Sequence, residues 1–162
     1  MIRSALLRPF LLATLICGTL DILLAVFLSL QRGNDPAGML RFVASGPFPA
    51  ATEWGTEGAV LGLAVHFTLM ALMVGGFLVL VSQRPALLDK PLLAGIAFGL
   101  ITYVLMNLIV VPLRWPAAFP PKPIGIVTQL LAHLFLVALP TVLIARAMLA
   151  KLADGGAEPA TA

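Results

Sequence analysis

From Ala59 to Val81 the chain runs without a charged residue except for what one imidazole, His66, can carry. At about 1.5 Å of rise per residue, a helix of this length crosses a hydrocarbon core of about 30 Å. Three further apolar runs of similar length, 10–30, 92–111 and 124–145, each hold a polar residue of their own: Asp21, Asn107 and His133. Side chains are 60% hydrophobic and only 10% charged, against about 25% charged in a soluble domain. The pattern predicts an all-α membrane protein with four transmembrane helices. Connections this short leave room for one domain, 1–151, followed by a disordered tail from 152 to 162.

The formal charge of +3 does not mark a nucleic-acid partner, because the basic residues stand singly at the ends of the apolar runs. The lone cysteine, Cys17, excludes an internal disulfide. The first run continues to Leu30 and is interrupted by Asp21, which is too long and too polar for the core of a cleaved signal. It is therefore expected to be retained, with Pro9 in its first turn. With the N-terminus inside, Arg3, Arg8, Arg84, Lys90, Arg146 and Lys151 lie inside, against Arg32, Arg41, Arg114 and Lys122 outside. Both termini are thus expected to be cytoplasmic, with Trp54 and Trp115 at the outer interface.

The loop from Gln31 to Trp54 contains Asp35-Pro36, a good N-cap and first-turn pair, and Gly46-Pro47, a good stop. Between them Met39, Leu40, Phe42 and Val43 give a short helix one apolar side, with Arg41 turned to water. This helix is expected to lie along the outer interface. Pro120-Pro121-Lys122-Pro123 should make the second outer connection stiff, and Pro140 should kink the fourth span.

Measured from the outer ends, Asp21, His66, Asn107 and His133 lie roughly 6–14 Å deep, four polar groups in one slab. Residues four apart share a helix ridge. The ridges read Cys17-Asp21-Ala25-Ser29, Gly58-Gly62-His66, Gly95-Gly99-Tyr103-Asn107 and Gly125-Gln129-His133. Small residues at such spacing allow close helix approach in lipid. Asp21, His66, Tyr103, Asn107, Gln129 and His133 are accordingly the candidate ligand or proton site, or else a hydrogen-bonded layer that fixes helix register. A charge at such depth costs about 2.5–3.5 kcal/mol, so Asp21 requires a proton or a partner, and either histidine is the natural one.

Two histidines at matching depth on separate helices also satisfy the first requirement for axial ligation of one b-type haem, and with Asp21 they would supply three zinc ligands. No clustered ligand motif accompanies them, so no cofactor is assigned. The serines near these ridges, Ser29 and Ser82, stand at span ends and no phosphate loop is present, which gives no support to a hydrolase. A helper subunit packing on another membrane protein, or a homo-oligomer, remains a third reading. Residues 63–72 and 130–139 align around the two histidines, as two related hairpins would.

Val65-His66-Phe67, Leu92-Leu93-Ala94-Gly95, Val111-Pro112-Leu113 and Ala132-His133-Leu134 together resemble the YagU-like group of bacterial inner-membrane proteins, over residues 65–148. The resemblance implies a small multi-spanning protein of the bacterial inner membrane with no established activity. In that group a histidine stands five residues before the Pro-Leu pair, where this chain has Asn107, so a three-histidine site is not implied.

Overall fold

In the computed structural model, residues 2–155 are described, with side chains from 6 to 149, and among them the regular structure is helical throughout. Four helices are long and apolar enough to cross a membrane: Leu6–Gln31, Gly55–Gln83, Pro91–Arg114 and Pro123–Leu149. The first lies within α1 (Ile2–Gln31) and the second is α3 (Gly55–Gln83). The third comprises α4 (Pro91–Tyr103), a π-helical stretch (Val104–Val110) and α5 (Val111–Arg114). The fourth comprises α6 (Pro123–Ala132), a second π stretch (His133–Ala138) and α7 (Leu139–Gly155). Large side chains such as Leu72, Ile101 and Ile124 stand exposed on these helices, a surface suited to lipid rather than water. The tail expected from 152 falls largely outside the described residues, and α7 itself runs to Gly155.

Pro9 lies inside α1 rather than in its first turn, because the helix already begins at Ile2. The two other intrahelical prolines explain the π stretches. A proline has no N–H to give to the carbonyl four residues back, and its ring crowds that carbonyl. Each π stretch ends two residues before its proline, Pro112 or Pro140, and the Val111 and Leu139 N–H groups bond five residues back, to Met106 and Leu134. At Pro140 the lost hydrogen bond and the crowded carbonyl are met by a wider turn, one of the recognised ways a helix accommodates proline.

At one end of the bundle, α1 closes with a Schellman turn. Gly33 takes φ +69°, Asn34 N–H donates to Ser29 O at 3.0 Å, and Gly33 N–H donates to Leu30 O at 2.9 Å. The chain then enters α2 (Pro36–Ala44), whose cap is Asp35 with Pro36 following, as the sequence predicts. The Asp35 carboxylate accepts from Ala37 N–H at 3.0 Å and Gly38 N–H at 2.9 Å, which holds its carboxyl below the usual range. Its neighbour Arg41 is not simply turned to water: Nη2 meets Asp35 Oδ2 at 3.2 Å and the chain packs over Gly58.

This short helix is pinned at its other end too. Arg114 donates to the carbonyls of Gly46 and Ser45, and Trp115 Nε1–H donates to Ser45 Oγ at 3.1 Å while stacking on Phe42 at 4.7 Å. A guanidinium at the carboxyl end of a helix also meets the negative pole of its dipole. Trp115 is therefore a clasp on α2. Gly58 and Gly62 receive α2 and the turn after it, not another span. A Cβ at 58 would lie 2.6 Å from Ala51 O, and one at 62 would collide with the Leu40 carbonyl.

The main hydrophobic cluster lies in the half away from this cap. Cys17, Met70, Val74, Leu78, Val137 and Val142 are all buried there, and Phe77 meets Phe98 at 4.7 Å. Cys17 Sγ lies 3.3 Å from Thr141 Oγ1, which itself donates to Val137 O at 2.6 Å. Asp21, His66, Asn107 and His133 stand nearer the cap than this cluster does.

Candidate functional site

Gly18 and Asp21 are three apart on α1 and so share a face, which α3 covers. Gly18 allows the approach: a Cβ there would come within 2.6 Å of the Phe67 ring. His66, next to Phe67, reaches the Gly18 carbonyl with Nε2 at 2.9 Å. A carbonyl only accepts, so Nε2 carries a hydrogen, and Nδ1 is left facing Asp21 Oδ2 at 3.9 Å. That separation is too long for a hydrogen bond and short enough for an ion pair. With one proton between them the two groups are neutral as a unit; gaining or losing it leaves a net charge against an apolar wall. Asp21 keeps 27% of its side chain exposed and His66 12%, so the carboxylate is the more open of the two.

His66 also forms part of a cavity wall. A space of about 710 Å³ lies between α3 and the third span beneath α2, bounded by Leu61, Val65, Met106, Val110, Phe42 and Trp115 among others. This is within the size range of small-molecule sites. The titratable residues on its wall are His66 and Arg114, the latter engaged with the Gly46 and Ser45 carbonyls. Thr68 adds little polarity, since its hydroxyl donates to Ala64 O at 2.8 Å. An apolar guest would fit here, with one edge of the His66 ring against it and both ring nitrogens turned to α1.

His133 has a different set of partners. Thr102 Oγ1 donates to Gly99 O at 3.1 Å and accepts from His133 Nδ1 at 3.2 Å, and Asn107 Nδ2 donates to His133 Nε2, also at 3.2 Å. Each hydrogen in this chain has an acceptor, and the imidazole is neutral with its proton on Nδ1. Tyr103 packs edge-on at 6.0 Å. Gly99 permits the contact, because a Cβ there would lie 3.1 Å from His133 O. Asn107 and His133 both sit in the π stretches.

The four residues expected in one polar layer therefore form two pairs, Asp21 with His66 and Asn107 with His133, and no hydrogen bond or ion pair joins one to the other among the described residues. Tyr103 belongs beside His133. Gln129 does not: it is exposed and lines a separate recess near Arg32 and Arg41. Gly125, on the same ridge, has nothing within 4 Å of a Cβ position, so that ridge is packed only at His133. Three-ligand metal binding finds no support, since no cluster of three ligating side chains occurs among the described residues. Two partners escaped sequence reading. Thr102 carried a signal, standing three residues after Gly99 on its buried face, whereas the Gly18 carbonyl carried none.

Comparisons with protein-family models, with curated proteins and with solved structures find nothing that matches this chain.

Proposed function

We propose that this chain is a multi-pass membrane protein that binds an apolar small molecule between its second and third spans, with binding linked to the proton held by Asp21 and His66. One observation carries the reading: His66 is at once the partner of Asp21 and part of the wall of the 710 Å³ apolar cavity. An apolar guest removes solvent from the ring and so disfavours any net charge on the pair. Linkage then requires the proton to alter guest affinity by the same factor. Facing His66 are Asp21 from α1 and Arg114 across the cavity, so few other charges blur the effect.

The cap end is assigned to the outer face, on the balance of six inner against four outer basic residues. In that placement α2 lies at the outer boundary and closes the cavity from above. The resemblance to the YagU-like group agrees with a bacterial inner membrane. The haem reading is disfavoured, because His133 engages both ring nitrogens with protein partners and His66 turns both of its own to α1.

The test is binding of a neutral solvatochromic dye by the purified full chain, measured across pH. Wild-type affinity should change with pH, and Asp21→Asn and His66→Phe should flatten the profile while still binding. Identical profiles in all three proteins would overturn the proposal.

A further inference from the structure

A second recess, of about 610 Å³, opens at the cap end between the Schellman turn of α1, the start of α2, and α6. Its character is opposite to that of the cavity at His66. Arg32, Arg41, Asn34, Asp35 and Gln129 line it, over an apolar floor that includes Leu28 and Met39. Asp35 has its charge engaged by the Ala37 and Gly38 N–H groups and by Arg41. Two guanidiniums against one carboxylate leave the recess with one net positive charge. One atom there is out of place as a purely structural feature. Ser29 lines the recess with only 5% of its surface exposed, and its Oγ has no hydrogen-bond partner. A buried hydroxyl left unpaired costs free energy, and here its residue shares the recess wall with two cations.

We infer that this recess is a binding site for the phosphate headgroup of an anionic phospholipid, with Arg32 and Arg41 meeting the phosphate and the Ser29 hydroxyl completing its hydrogen bonds. Charge-assisted bonds from arginine to phosphate are the strong kind, and the apolar floor suits the first carbons of the acyl chains. The volume is more than a bare phosphate fills, which favours a headgroup with its chains attached. The inference rests on the membrane placement proposed above but not on the proton-linked cavity.

The experiment uses the purified full chain in detergent, titrated with short-chain phosphatidylglycerol, with phosphatidylcholine of the same chains, and with inorganic phosphate. Binding is read by native mass spectrometry and by thermal midpoint. Phosphatidylglycerol should bind about tenfold more tightly than phosphatidylcholine, and Arg32→Gln should weaken it about tenfold. Ser29→Ala is the more telling variant. Removing an unpartnered buried hydroxyl should raise the midpoint without lipid while weakening phosphatidylglycerol about threefold. A merely structural serine would not move stability and affinity in opposite directions. The proposal fails if Ser29→Ala and Arg32→Gln bind phosphatidylglycerol as wild type does, if phosphatidylcholine binds equally well, or if inorganic phosphate competes at equal concentration. Because Asp21 and His66 stay intact in these variants, dye binding in the other cavity reports separately on the proposed function.

Discussion

His66 reaches from α3 back to α1, and His133 reaches from the fourth span back to the third, so each imidazole ties the second helix of a hairpin to the first. Their partners differ in kind. His66 meets a backbone carbonyl and a carboxylate, with a cavity beside it. His133 meets a hydroxyl and an amide and is buried. The first set contains a second titratable group, Asp21, 3.9 Å from the free ring nitrogen. In the second, both ring nitrogens are committed to neutral partners, Thr102 and Asn107. Position alone thus says little about what an intramembrane histidine does; the number of its bonds left open says more.

That contrast is best broken by substitution. His133→Ala should have the largest effect, about 3 kcal/mol of destabilisation, since it opens a void and strands Thr102 and Asn107. Unfolding titrations in denaturing detergent would measure it, and a loss below about 1 kcal/mol would remove the distinction between the two histidines. Thr102→Val keeps the shape and deletes the acceptor of Nδ1, so about 1–2 kcal/mol should be lost in the same assay. Asp21→Asn keeps the side chain's shape and breaks none of the described hydrogen bonds, so it should cost less than about 1 kcal/mol, yet it should abolish the pH dependence of dye binding. A severe stability loss there would make the Asp21–His66 pair as structural as its counterpart.

The smallest effect belongs to Asp35→Ala, which should speed amide exchange through α2 and leave the bundle intact. Its pH dependence has a definite sign. The folded carboxyl lies below its ordinary value of about 3.9, held there by the Ala37 and Gly38 N–H groups. The cap is therefore at full strength above that value and fades as pH falls through the lower folded one. Lowering pH from 8 to 5 should leave the protection factors of the α2 amides unchanged, once the intrinsic exchange rate at each pH is divided out, while shifting dye binding at His66, which separates loosening of α2 from the proton on the pair.

Much of the scaffold could be read from residue order. The four apolar runs, the Asp35-Pro36 cap and the prolines as punctuation all depend on local chemistry, and the described helices follow them closely. That Asp21, His66, Asn107 and His133 stand toward the same end of the bundle was also readable, because position along a helix needs only a count of residues. Their grouping was not. It depends on which helices adjoin, and Gly58 and Gly62 advertised a helix contact without saying that a loop helix would fill it. Ridge counting at four residues per step also fails where the backbone widens, as it does around Asn107 and His133. Gln129 was misassigned for a related reason: a ridge shared with a buried residue does not continue as a buried ridge to the helix end.

The widened turns at Val104–Val110 and His133–Ala138 give the chain two places that can absorb a change of length. Each holds more residues than an α-helix fits into the same turn, so removing one lets normal pitch return while the helix beyond keeps its facing. In the flanking stretches of ordinary pitch the same deletion would swivel everything beyond by about 100°. A one-codon deletion should therefore do less harm inside the two widened turns, where it spares Asn107 and His133 themselves, than in the helices that flank them.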